Sequence, residues 1–187
     1  MPPRCLALMR SASISIGKVT ERRSLIERDI QGTVMLLPVA LLCVQHFRWG
    51  NKMRLSGGCL CGNVKYAAEV DPVFTAVCHC RNCQKQAGTF SSVVVAIPAG
   101  ALSITGAVKT FEDTGDSGKP VHRRFCPECG SPIISEVEAM PGIAFIKAGT
   151  LDDTRWLKPT MEVYCSSAQA WVPPLGELQR FDKMPAA

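Results

Sequence analysis

Three cysteine clusters dominate the 187-residue chain: Gly57-Gly58-Cys59-Leu60-Cys61-Gly62, Cys78-His79-Cys80-Arg81-Asn82-Cys83 and Phe125-Cys126-Pro127-Glu128-Cys129-Gly130-Ser131. The middle cluster is a Cys-x-Cys-x-x-Cys run with three sulfurs in six residues. Cysteines one residue apart cannot easily bridge each other as a disulfide. Cys-x-Cys and Cys-x-x-Cys spacings instead let sulfurs converge on a thiophilic ion, and zinc is the expected one.

The sulfurs divide by spacing into four and three. A Cys-x-x-Cys-Gly knuckle such as Cys126 to Gly130 wraps backbone N–H groups around its thiolates, and the glycine permits the positive φ this needs. Cys59-Leu60-Cys61-Gly62 offers a similar half-site. Two half-sites of two thiolates each complete a tetrahedral Cys₄ zinc site, closed to other ligands and therefore structural. Such a site carries a formal charge of −2, so neighbouring cations are expected, and Arg123 and Arg124 are placed to supply them. Cys78, Cys80 and Cys83 remain, and three thiolates leave a fourth position open, as catalytic zinc requires. In an extended segment His79 points away from the face shared by Cys78 and Cys80. His122 or Cys165 could close the site from a distance, and Cys165 would make it a second Cys₄ site. Water or a substrate sulfur is the preferred fourth ligand, so two Zn²⁺ ions are expected, one structural and one catalytic.

Other uses of these sulfurs were weighed. A non-catalytic, zinc-stabilised binding module would use both ions only to hold the fold. A thiol–disulfide oxidoreductase built on Cys80-x-x-Cys83 would need a βαβ setting that the sequence lacks.

The elements that must position the clusters read as short strands. MRLSGG enters the first knuckle, and residues 63–70, 73–77, 91–97, 102–105, 108–112, 121–125, 133–137, 143–147 and 161–165 continue the series. Asp71-Pro72, Pro98-Ala99-Gly100, Asp113 to Lys119 and Met140-Pro141-Gly142 break it. Arg81 to Ala87, closed by Gly88, is the one short helical segment. Asp152 and Asp153, after Gly149-Thr150-Leu151, suit a turn or cap better than acid–base chemistry. With no long 3.6-residue periodicity, the pattern is that of an all-β domain.

Length allows one ordinary domain and an appendage. Residues 1–52 carry eight Lys or Arg against three Asp or Glu, whereas residues 53–187 carry thirteen of each. The +5 net charge thus belongs to the N-terminal segment, and the domain lacks the positive footprint that nucleic-acid binding needs. The domain is expected to span residues 53–187, with residues 1–52 as an extension not part of its fold. Cys5, Cys43 and His46 in that extension have no partners at metal spacing. The apolar run Thr33 to Val44 contains a proline and is too short to span a bilayer as a helix, so no membrane role is expected. Without a secretory pattern, clustered thiols imply a reducing, cytoplasmic setting.

The cluster spacing, the FCPECGS knuckle and the later GTLDD and Trp171-Val172-Pro173 segments together resemble the glutathione-dependent formaldehyde-activating family, which also includes centromere protein V. The resemblance runs from about Ser56 to Pro174. It implies a tent-like all-β stack of small antiparallel sheets, with a structural zinc on Cys59, Cys61, Cys126 and Cys129 and a second zinc on Cys78, Cys80 and Cys83. It also implies a carbon–sulfur lyase resembling S-(hydroxymethyl)glutathione synthase, with glutathione as small-molecule thiol and formaldehyde as its partner. The two carboxylates of glutathione would call for cations such as Arg81, Lys85, Arg124 or Lys147. Glu162 stands where the family pattern leads one to expect His, and Ala168 where a Ser-Lys pair often occurs.

Overall fold

The computed structural model describes residues 52–185. The extension with Cys5, Cys43 and His46, and the apolar run at 33–44, lie outside the described residues. In chain order the elements are β1 (Arg54–Gly58), β2 (Lys65–Glu69), β3 (Phe74–Cys78), α1 (Arg81–Ala87), β4 (Ser92–Pro98), β5 (Leu102–Thr105), β6 (Lys109–Thr114), β7 (Pro120–Phe125), β8 (Pro132–Val137), β9 (Ile143–Lys147), β10 (Met161–Val163) and β11 (Gln179–Arg180).

Two sheets result, of three strands in the order β1-β2-β5 and of eight in the order β11-β10-β3-β4-β9-β8-β7-β6. The smaller sheet is antiparallel and alternates as a half-buried sheet should, with Leu55, Tyr66 and Ala68 inward. In the larger sheet β3, β4 and β9 are central and lack that alternation. Their runs Thr75-Ala76-Val77-Cys78, Val94-Val95-Ala96-Ile97 and Ala144-Phe145-Ile146-Lys147 are buried on both faces. One face packs Val95, Ile97, Ile134 and Ile146 against Leu55, Val64 and Tyr66 of the β1–β2 hairpin. On the other, Ala76, Val94, Ala96 and Phe145 form a smaller cluster, with Phe74 edge-on to Phe145 at 6.1 Å. Burial at roughly 25 cal/mol per Å² of apolar surface is the force that stacks the sheets.

The all-β architecture with one helix follows the sequence reading, and α1 spans the residues that reading assigns. Its start is capped by Cys80 Sγ, which accepts the Cys83 N–H at 3.3 Å. Its end is closed by Gly88 at φ 65°, a left-handed conformation that glycine adopts without strain.

Three details differ. Asp113 and Thr114, read as turn residues, extend β6 because they pair with Val121 and Pro120 on β7. The late strand stops at Val163, since Tyr164 takes φ 59° and Cys165–Ser167 forms a 3₁₀ turn. The sheet is also not wholly antiparallel, as β10 runs parallel to both β3 and β11.

Gly57 joins the small sheet to the loop after β9. It bridges Leu151, and a Cβ there would lie 2.2 Å from the Thr150 carbonyl oxygen and 2.3 Å from the Tyr66 hydroxyl. Neither neighbour can retreat freely, because the Tyr66 hydroxyl hydrogen-bonds Thr150 Oγ1 at 2.9 Å. Gly57→Ala is therefore expected to lower the unfolding free energy by about 1–3 kcal/mol. A denaturant titration checks this: a lower midpoint with an unchanged slope is the expected outcome.

Candidate metal centres

The first half-site is a tight loop between β1 and β2. Cys59 N–H donates to the Val64 carbonyl at 3.0 Å, and Val64 N–H donates to Cys59 Sγ at 3.2 Å. The second lies between β7 and β8, where Cys126 N–H donates to the Ser131 carbonyl at 3.0 Å. Gly62 and Gly130 close the two loops at φ 80° and 72°. Leu60 N–H donates to Ser131 Oγ at 3.1 Å, so one loop clasps the other.

These contacts bring Cys59, Cys61, Cys126 and Cys129 within 4.8 Å of one another. Cys59 Sγ lies 3.4 Å from Cys61 Sγ, and Cys61 Sγ lies 3.7 Å from Cys126 Sγ. Zinc–sulfur bonds of about 2.3 Å in a tetrahedron separate sulfurs by about 3.8 Å. All eight described cysteines are free. The Ser131 hydroxyl, then its N–H, holds the Cys129 thiol down at about 5. A packed set of four thiols, one already favouring the thiolate, fits a structural zinc.

Cys78 ends β3, Cys80 caps α1 and Cys83 lies in the first turn of α1; the three sulfurs also fall within 4.8 Å of one another. Hydrogen bonds from Cys78 and Cys80, followed by the charges of Lys147 and Arg123, hold Cys83 far below the usual thiol range. Cys78, tied to both other sulfurs and buried, is pushed up. Three such sulfurs suit zinc, and among the described residues no fourth cysteine sulfur joins them.

Two buried cations flank them. Lys147 ends β9 and is 5% exposed; burial lowers its pKa against the opposing pull of the Cys83 thiolate. Arg123 projects from β7, with Nη1 at 3.9 Å from Cys83 Sγ and 2.9 Å from Gln86 Oε1. Its Nε donates to Asp113 Oδ2 at 2.7 Å. Asp113 also accepts from Asn82 Nδ2 at 3.0 and 3.1 Å. Burial pushes the Asp113 carboxyl up, but the Arg123 hydrogen bond and the Thr114 N–H more than reverse it, so it stays ionised.

This is a different place for Arg123 from the Cys₄ site expected of it. Successive side chains on β7 point to opposite faces, so Arg123 turns toward Cys83 while Arg124 pairs with Glu136 at 2.6 Å. Asn82, Gln86 and Asp113 carried no signal in the sequence, because their role exists only once β6 lies beside α1.

His79 does point away from the sulfurs. It is 1% exposed, and its Nε2 shares a 2.7 Å hydrogen bond with Glu162 Oε2 across the β3–β10 junction. Glu162 Oε1 accepts the Leu175 N–H at 3.0 Å. Burial pushes the Glu162 carboxyl up, and the Leu175 N–H and His79 outweigh it, leaving the group below the usual range. Cys165 joins this pair rather than the three-sulfur cluster. A Glu between Met161 and Val163 in an apolar strand was the one sequence signal that a buried partner exists.

His122 is held between Glu112 at 2.5 Å and Glu138 at 3.3 Å. Asp153 accepts the N–H of Arg155 at 2.9 Å, and Asp152 accepts from Ser56 Oγ at 2.7 Å, both structural turn roles.

The matched family spans both clusters. The family model described as "Glutathione-dependent formaldehyde-activating enzyme" matches residues 54–167, more than half of the chain. A Phaeosphaeria nodorum protein named "Putative glutathione-dependent formaldehyde-activating enzyme" is 25% identical over 126 residues, covering 66% of this chain and 64% of that protein. A Talaromyces marneffei protein of the same name is 26% identical over 112 residues, covering 58% and 59%. The chain thus matches less than two thirds of the length of these relatives. A crystal structure of a Rhodobacter sphaeroides protein aligns with TM-score 0.43 and 16% identity, over 67% of this chain and 98% of that one.

The two clusters are expected to respond differently to loss of a sulfur. Cys126→Ser should lose one zinc equivalent and the cooperative thermal transition, because structural zinc contributes directly to folding. Cys83→Ser should lose the other equivalent and keep a cooperative transition. Metal analysis with thermal unfolding checks both.

A third expectation concerns His122, whose pKa is raised above 6.5 by Glu112 first and Glu138 second. The stabilisation from these pairs is complete below the unfolded value of 6.5 and is lost as pH rises through the raised folded value. An NMR titration of the imidazole is expected to show the upward shift, and Glu112→Gln with Glu138→Gln should return it toward 6.5.

Proposed function

The chain belongs to the glutathione-dependent formaldehyde-activating family, and from that premise we propose that it is a zinc-dependent carbon–sulfur lyase acting on a thiol–aldehyde adduct, with glutathione and formaldehyde as the pair. The observation that carries the reading is the partition of seven free thiols into a group of four and a group of three flanked by two buried cations. A module needing zinc only as a staple would gain nothing from buried cations beside an incomplete ligand set.

Cys78, Cys80 and Cys83 would hold the second zinc, which when bound supplies a Lewis-acidic position that favours the thiolate of an incoming thiol. The reaction needs no oxidant. The sulfur electron pair forms the S–C bond, the C=O π pair moves onto oxygen, and that oxygen takes one proton; the reverse breaks the same bond.

Negative charge therefore develops on the aldehyde oxygen. Lys147 and Arg123 place fixed positive charge beside the sulfurs, in a buried setting where such charge acts more strongly than in water. Asp113 and Gln86 fix the Arg123 fork, so the cation does not have to reorganise as the bond forms. Gln84 Nε2 donates to the His79 carbonyl at 2.5 Å, tying the helix to the loop that carries the sulfurs. The imidazoles of His79 and His122 are spent on carboxylates, so Lys147 or water is the proton source in this reading. A reducing, cytoplasmic setting belongs to it, since the thiols must stay reduced.

The test uses the zinc-loaded full chain. Glutathione at millimolar concentration is expected to add a sulfur to the zinc coordination seen by X-ray absorption, and to accelerate formaldehyde consumption. Lys147→Met should keep the zinc content and lower kcat by about 10²–10³-fold, the range for removal of an oxyanion donor. If glutathione changes neither coordination nor formaldehyde consumption, the lyase reading fails and the binding module replaces it.

A further inference from the structure

Seven glycines take positive φ among the described residues, and one residue with a side chain does so as well: Tyr164, at φ 59° and ψ 40°. A left-handed conformation strains a residue that carries a Cβ, and a glycine would turn the chain at this point without that cost. The turn itself needs only backbone, since the Ser167 N–H donates to the Tyr164 carbonyl at 3.0 Å. A tyrosine kept where a glycine would serve has to be explained by its side chain.

Packing does not explain it. Tyr164 is half-buried and belongs to neither apolar cluster of the domain. Tyr66, the other tyrosine, is buried with its hydroxyl bonded to Thr150, whereas the Tyr164 hydroxyl makes no hydrogen bond among the described residues. The buried side-chain atoms without a partner there are His79 Nδ1 and Ser135 Oγ, so the Tyr164 oxygen is not sealed inside and can be reached by an incoming molecule.

Topology puts this phenol at the three-sulfur group. Val163, the residue before it, pairs with Cys78 in the parallel β3–β10 ladder, and the His79 N–H donates to the Val163 carbonyl at 3.0 Å. The chain thus leaves β10 where β3 passes from Cys78 into the Cys80 cap of α1. In the sheet order β10-β3-β4-β9-β8-β7, Tyr164 lies on one flank of the Cys78 strand, and Lys147 and Arg123 lie on the other. Burial first, then the charge of Asp116 and those of Cys78, Cys80 and Cys83, push the phenol's pKa up, so the ring shares the surroundings of the sulfurs and keeps its proton at neutral pH. Asp116 itself is paired with Lys183 at 3.1 Å and does not take up the hydroxyl.

We infer that the Tyr164 hydroxyl is a further catalytic group, the neutral hydrogen-bond donor to the oxygen that the aldehyde brings to the adduct. The inference rests on the reading of the chain as a carbon–sulfur lyase. In that reaction the oxygen is two bonds from the sulfur that docks at Cys78, Cys80 and Cys83, so a donor to it must stand beside this group. Lys147 and Arg123 supply charge from β9 and β7, and Tyr164 supplies a directed O–H from the end of β10. As the S–C bond forms and the C=O π pair moves onto oxygen, this hydrogen bond strengthens, while the proton that the oxygen finally takes still comes from Lys147 or water. The left-handed turn then has a use, because it frees the ring from the alternation of β10.

The test uses the zinc-loaded full chain and two thiols that differ by one hydroxyl, mercaptoethanol and ethanethiol, titrated calorimetrically. The parent is expected to favour mercaptoethanol. Y164F, which removes the hydroxyl and keeps the ring, should cut that preference by about threefold to tenfold, the worth of one hydrogen bond. With glutathione and formaldehyde, Y164F should lower kcat at least about tenfold and leave KM near the parent value, since the bond is made chiefly in the transition state. Its zinc content and thermal unfolding should match the parent. Y164G, which removes ring and strain together, should turn over no faster than Y164F and unfold at no lower temperature than the parent. An unchanged preference with unchanged kcat in Y164F overturns the inference and leaves the lyase reading standing. A marked loss of zinc or of thermal stability in Y164F also overturns it, since the side chain would then be structural. A preference that depends on Tyr164 without formaldehyde turnover keeps the hydroxyl contact and overturns the lyase reading instead. If neither thiol binds the parent, both fall.

Discussion

Sulfur crowding governs this structure. Seven cysteine sulfurs are gathered into two groups, each within 4.8 Å. Thiols packed at that distance resist losing their protons together, since each thiolate raises the cost of the next. A divalent cation removes the conflict, and fixed cations reduce it further. The surroundings of each group reflect this demand. The four-sulfur group meets it with backbone N–H groups and the Ser131 hydroxyl, the three-sulfur group with Lys147 and Arg123. Dipoles serve the group of four sulfurs, and full charges appear beside the group of three.

The sheets exist in the form that this demand requires. The half-sites at Cys59 and Cys126 are far apart in sequence, so only the stacking of the β1–β2 hairpin on the large sheet can join them. The apolar cluster that includes Leu55, Val64, Ile133 and Ile146 also contains Cys59 and Cys126. Core packing and zinc coordination thus favour the same arrangement, and neither has to strain against the other. The three-sulfur group sits instead where β3 ends and α1 begins, with β4 and β9 alongside. Central strands are the most stable part of a sheet, a rigid base for a cluster whose geometry has to be held.

Around the three-sulfur group two buried charges, Arg123 and Glu162, are accounted for by partners rather than by solvent. Arg123 has Asp113, and Glu162 has His79 and the Leu175 N–H. Breaking a buried pair leaves an uncompensated charge, so these contacts hold α1, β6, β7 and β10 to one geometry. The Glu162–His79 pair is also how this chain accommodates a Glu where its family resemblance leads one to expect a His. The carboxylate is held by the histidine next to the sulfur ligands, which ties β10 to the Cys78–Cys80 loop.

Local pattern determined a good deal of this. Ligand type, the division into knuckles and a three-sulfur run, the helix from Arg81 to Gly88 and most of the strands are properties of contiguous residues, and sterics and ligand spacing act at that range. Fold class followed as well, because short β-branched runs between frequent turn residues leave few alternatives. Tertiary structure alone decided which cation faces which sulfur. Arg123 and Arg124 are neighbours in sequence, yet strand alternation and the β6–β7 register send one to Cys83 and the other to Glu136. The same holds for Glu162, for the Asn82–Asp113 contact and for the place of Tyr164 beside the Cys78 strand. Each depends on the register between segments far apart in the chain, and register is set by the packing of the whole core, which no short window of residues contains.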